Sequence, residues 1–136
     1  MQLLLQRQLS VALENQPGRL AAIAHLLAER EINITAVCVI DNVEQGVVRL
    51  ITSDPVVARS ILEGAGLHVV EAEVLAIELA DRLGKLAFIS EALAKGNINI
   101  EYAYGSVDHA GAQTRLILKT SKPAKAREIL GTLRES

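Results

Sequence analysis

The chain is short of most of what catalytic and nucleic-acid-binding surfaces are built from. Its 136 residues contain one Phe, two Tyr and no Trp, so any core it forms is aliphatic. Cys38 is the single cysteine, which excludes an internal disulfide and a cysteine-based metal cluster. Neither sign of charge dominates: 14 basic and 16 acidic residues are mixed along the chain, for a net charge of −2. Nucleic acid and anionic membrane both require a basic face, so neither is expected as a partner. The N-terminal apolar run, Leu3 to Leu5, is too short for a signal peptide. No apolar stretch approaches the length of a membrane span, and a cytoplasmic location is expected. His25, His68 and His109 have no second ligand at metal spacing. The Gly-rich pieces match neither the dinucleotide fingerprint nor the phosphate-binding loop. No catalytic constellation is visible, so no enzyme activity and no cofactor are expected.

What is present is an aliphatic pattern with clear punctuation. Half of the residues are apolar, enough for one ordinary domain or two very small ones. Met1 to Glu14 reads as one long strand, with Leu9, Val11 and Leu13 alternating against Ser10 and Ala12. Leu20, Ile23, Ala24 and Leu27 form a helical stripe between about Gly18 and Glu31. Ile34 to Ile40 is a β-branched strand, Asp41 to Gly46 a hairpin turn, and Val47 to Thr52 a further strand. Ser53-Asp54-Pro55 starts a second helix, with a capping side chain before a first-turn proline. Gly64-Ala65-Gly66 ends it, and a strand follows from Leu67.

That order, strand-helix-strand-strand-helix-strand, then begins again. Gly18-Arg19-Leu20 matches Gly84-Lys85-Leu86, and Ile32-Asn33-Ile34 matches Ile98-Asn99-Ile100, at an offset of 66 residues. Arg49-Leu50-Ile51 matches Arg115-Leu116-Ile117 at the same offset, whereas Pro55 and Pro123 are 68 apart. On this reading two residues are gained just before the last helix. A repeat this consistent indicates a duplicated unit. The expected units are 1–72 and 73–136. The second lacks a final strand, and residues 2–6 align with 68–72, so residues 2–6 are expected to complete the second unit's sheet.

The stretch Asn15-Gln16-Pro17-Gly18-Arg19-Leu20 sits where the first strand passes into the first helix. The first amides of a helix lack internal partners and carry partial positive charge, so such a junction can hold a carboxylate or phosphate. Gly18 leaves the backbone open to a ligand. On spacing alone the same residues also make an ordinary turn. With the preceding strand, the helix and Ile32-Asn33-Ile34 after it, the pattern resembles the ACT domain, a small module that binds amino acids and related metabolites. The resemblance covers the chain as two tandem copies. It implies an α+β fold of two ferredoxin-like βαββαβ units, each an antiparallel sheet with helices on one face. In the family such sheets can join by their edges into one continuous sheet.

Carried over residue by residue, the resemblance marks Asn15, Gln16, Pro17, Gly18, Arg19, Leu20 and Asn33 as ligand-binding in the first copy. The amides of Gly18 to Leu20 would take an α-carboxylate, and Asn15 and Asn33 would accept from the α-ammonium. In the second copy it marks Asp81, Leu83, Gly84, Lys85, Leu86 and Asn99. There Asp81 stands for the Asn and Leu83 for the Pro, so that site is either degenerate or altered in preference. Leu13 is a further departure, since some amino-acid-binding members carry a polar residue just before the loop. The function implied is a non-catalytic sensor of a free amino acid that acts through a metabolic enzyme partner or through a change in self-association. The alternative is a regulatory subunit that docks on such an enzyme without a ligand. Exposed edge strands make a homodimer the expected assembly.

Overall fold

The structure is a computed structural model that describes residues 1–41, 45–80, 84–106 and 113–133. Residues 42–44 of the Asp41 to Gly46 turn lie outside the described residues. The elements run β1 (Gln2–Leu13), α1 (Arg19–Glu29), β2 (Ile34–Ile40), β3 (Gly46–Thr52), α2 (Pro55–Gly64) and β4 (Val69–Ala80). They continue with α3 (Lys85–Lys95), β5 (Ile100–Ser106), β6 (Gln113–Thr120) and α4 (Pro123–Gly131).

Helix ends are set by local chemistry. Asp54 caps α2 by accepting from the Val57 amide at 3.1 Å, with proline in the first turn. At its other end Leu67 N–H donates to Leu62 O at 3.1 Å and Gly66 N–H to Glu63 O at 3.0 Å, with Gly66 left-handed at φ 86. These bonds close the helix and hold Leu67 in the turn, so β4 starts at Val69 rather than Leu67. α1 closes the same way, through Ile32 to Leu27 at 2.9 Å and Glu31 to Ala28 at 3.0 Å. Here the left-handed position is held by Glu31 at φ 58, and in α3 by Asn97 at φ 58.

The chain divides into two compact units, Arg7–Ala72 and Met1–Gln6 with Glu73–Ser136, so the division falls inside β1 and inside β4. In Arg7–Ala72 the hydrogen-bonded order is β2-β3-β1-β4. Leu9 pairs with Leu50 and Val11 with Val48, placing all four on the face covered by Ile23 and Leu27 of α1 and Ala58 and Leu62 of α2. Each such side chain, fully buried, contributes roughly 1.5–3 kcal/mol. On the outside of this unit Arg59 bridges Glu63, at 2.9 Å, and Glu71, at 3.3 Å. The hydrogen bond to Glu63 and then that to Glu71 make its guanidinium hold its proton more tightly than usual.

In the other unit the order is β1-β4-β6-β5. Leu75, Ile77 and Leu79 of β4 and Leu118 of β6 form its core with Ile89 and Leu93 of α3 and Ala126 and Leu130 of α4. Leu3 and Leu5 pack against that cluster, and Arg115 reaches the Gln6 side-chain oxygen at 3.4 Å.

The strand register corrects one part of the repeat. Leu9↔Leu50 corresponds to Leu75↔Leu118, and Ile34↔Thr52 to Ile100↔Thr120. β4 and β5 therefore keep the offset of 66 while β6 already stands at 68. The two extra residues lie between β5 and β6, ahead of the position read from the sequence. Arg49 corresponds to Ile117, and Arg115 to Val47. The two arginines are not equivalents.

Candidate functional site

The β1–α1 loop is built by backbone bonds and one arginine. Gln16 N–H donates to Glu14 O at 2.8 Å, and Ala22 N–H to Gly18 O at 2.9 Å. Gly18 holds the position before the helix at φ 85, and no side chain caps the helix start. A Cβ on Gly18 would meet nothing within 4 Å, so glycine is required by the left-handed backbone rather than by crowding. Arg19, the first helical residue, folds back over the loop. Its Nη2 donates to Glu14 Oε2 at 3.0 Å and to Gln16 Oε1 at 3.1 Å.

This loop forms one side of a cleft of about 310 Å³. Leu13, Glu14, Asn15, Gln16, Arg19 and Leu20 line it from β1, the loop and α1. Val39, Ile40, Asp41 and Gly46 line it from the β2–β3 end. The two sides meet because Gly46 pairs directly with Leu13. Three of the lining side chains are apolar and well exposed: Leu20 at 43%, Val39 at 54% and Ile40 at 37%. A second cleft of about 410 Å³ shares Leu13, Glu14 and Arg19 with the first, and is lined further by Ile23, Leu26, Gln45, Leu67 and His68.

The other candidate residues fall elsewhere. Pro17 and Gly18 shape the loop without lining the cleft. Asn33 is not brought to it: α1 separates Asn33 from Asn15, and eleven helical residues span about 16 Å. Its backbone is stitched to Ser53, whose Oγ accepts from Asn33 N–H at 3.0 Å and whose N–H donates to Asn33 O at 2.9 Å. Asn99 and Ser121 make the same pair at 3.2 and 3.0 Å. In the second copy Gly84 repeats the left-handed start at φ 85, Lys85 lies 5.4 Å from the Phe88 ring centroid, and Leu86 is exposed. Asp81, Leu83 and His109 lie outside the described residues.

Glu14, Val39, Ile40, Asp41 and Gly46 are lining residues that motif reading does not single out. Their signal is topological. Once β1 and β3 are neighbours, the β2–β3 hairpin must end beside the loop that follows β1.

Among the described residues no three His, Cys, Asp or Glu are grouped to hold a metal, and no helix is long and apolar enough to cross a membrane. His25 is exposed beside Glu29 at 3.5 Å, and Cys38 is half-buried on β2.

Residues 4–134 match the family model described as an ACT domain pair. The chain belongs to this family. The ACT pair is also similar to the solved structure of protein BT0572 from Bacteroides thetaiotaomicron, at 30% identity and a TM-score of 0.86, covering 95% of this chain and 88% of that one. It shares its fold with the ligand-free regulatory subunit of aspartate kinase from Thermus thermophilus, at 17% identity and a TM-score of 0.68, covering 98% and 97% of the two chains. The corresponding subunit from Thermus flavus is similar at 20% identity and a TM-score of 0.67, covering 94% and 90%. No curated protein matches the chain.

Proposed function

We propose that this ACT pair binds a free α-amino acid in the cleft beside the β1–α1 loop and, without catalysing a reaction, regulates a metabolic enzyme. The observation that carries the reading is the cleft itself. Asn15, Gln16, Arg19 and Leu20, four positions that the family resemblance marks for ligand, line one concavity with a cation, carboxylates and an apolar wall. Pro17 and Gly18 serve by setting the loop. Asn33, a helix length away, would serve a site presented by a second copy of the chain. Val37, exposed on the edge strand β2, favours such a homodimer. Asp81, Leu83, Gly84, Lys85, Leu86 and Asn99 form the weaker counterpart in the second copy. The regulatory role is supported by the fold shared with the two aspartate kinase regulatory subunits.

The test is thermal unfolding of the purified chain against the twenty amino acids at several concentrations. A ligand specific to the folded state stabilises it by about 2.7 kcal/mol at a hundredfold excess over Kd. A raised Tm with one chemical class supports the sensor. No shift with any of them overturns it in favour of a docking subunit.

A further inference from the structure

Resting on the amino-acid reading above, we infer that the ligand has an apolar side chain and that each chain holds one, in the first copy only. The cleft offers Arg19 as its one cationic lining residue among those described, with Glu14 already engaged to it at 3.0 Å. Asp41 makes no ion pair among the described residues. A zwitterion uses these groups once each: its carboxylate joins Arg19 and its ammonium Asp41. What is left to receive the side chain is the wall of Leu20, Val39 and Ile40. An acidic side chain would need a second cation there. A basic one would have to bring its charge onto aliphatic surface with the free carboxylate already used. Burying an unpaired charge is far more costly than burying methyl groups.

The second copy keeps Leu86 in the place of Leu20 but lacks the rest of this wall. With the offset of 66 that holds through β5, Val39 corresponds to Gly105, Ile40 to Ser106 and Glu14 to Ala80. Nor can a side chain simply be restored at 105: a Cβ built on Gly105 would collide with the Arg115 carbonyl oxygen and would lie 2.9 Å from a methyl of Leu116. In β2 the same position carries valine without difficulty, so the difference belongs to the backbone of the β5–β6 pair.

Isothermal titration of the full chain with L-leucine, L-phenylalanine, L-lysine and L-aspartate separates the outcomes. Leucine or phenylalanine is expected to bind at about one equivalent per chain, and lysine and aspartate at least tenfold more weakly. Leucinamide, which lacks the carboxylate, should lose tenfold or more against leucine. Val39→Asn, at an exposed strand position, should weaken the apolar ligand about tenfold with the ligand-free Tm unchanged. Tighter binding of lysine or aspartate, or two equivalents per chain, overturns this inference and leaves the sensor reading standing. Unaltered affinity in Val39→Asn overturns the wall. Silence with every amino acid overturns both readings.

Discussion

The Arg19 guanidinium lies 3.0 Å from the Glu14 carboxylate, across the loop that joins β1 to α1. Both groups are largely exposed, so the pair holds the loop in shape more than it holds the fold together. Exposed ion pairs contribute about 0–1 kcal/mol. Arg19→Gln is therefore expected to leave the urea midpoint almost unchanged while weakening amino-acid binding tenfold or more. A large loss of stability with normal binding would reverse that assignment.

Gly18 and Gly84 start their helices at the same left-handed angle, φ 85, with open space where a Cβ would stand. Alanine at either place carries only the backbone penalty, about 1–2 kcal/mol. Denaturant titration of Gly18→Ala and Gly84→Ala should give similar losses. A loss confined to one would mean that something besides backbone angle selects glycine there.

Glu31 occupies a left-handed position at the end of α1, whereas the equivalent residue in α3 is Asn97, a residue type suited to it. Glu31→Asn is expected to raise stability by about 0.5–1 kcal/mol, and Asn97→Glu to lower it by a similar amount. Paired thermal melts of the two variants check the sign.

The Thr120 side chain is fully buried opposite Ile100, and its hydroxyl has no hydrogen-bond partner among the described residues. An unsatisfied buried hydroxyl costs about 1–3 kcal/mol. Thr120→Val, nearly the same shape, should stabilise the protein by about 1 kcal/mol in chemical denaturation. A decrease would indicate that the hydroxyl is paired after all.

The N-terminal residues provide a larger test. We propose that residues 2–6 serve as the last strand of the second copy, because Leu3 and Leu5 pack on the cluster around Leu75 and Leu118. Deleting Met1 to Gln6 should lower the midpoint of that unit and split the unfolding transition, with amide exchange accelerated in β4, β5 and β6 first. One cooperative transition at the original midpoint would overturn the assignment.

Much of the fold was legible because its signals are local. Alternation in β1, the Asp54-Pro55 start of α2 and the Gly66 stop each act within a few residues. The ACT resemblance and the α+β class followed from their order. The slip between Arg49 and Arg115 has a physical cause: a shift of two residues equals the period of a strand. The apolar alternation is blind to it, and only pairing against β1 and β4 resolves it. The cleft was half visible for a related reason. Asn15, Gln16, Arg19 and Leu20 lie in one continuous stretch. Val39, Ile40 and Asp41 join them only through the register that sets Gly46 against Leu13. Asn33 was grouped with Asn15 by motif, but α1 holds the two apart.

Because a Cβ at Gly105 would collide with the Arg115 carbonyl oxygen, the two copies do not tolerate change equally at this strand position. In the first copy Val39 stands exposed on its strand, and many side chains fit there. In the second, a side chain at Gly105 meets main chain, which no neighbouring side chain can relieve by moving aside. Drift at this pair of positions is therefore one-sided: position 39 is open to exchange, while position 105 stays glycine until the strand beside it shifts.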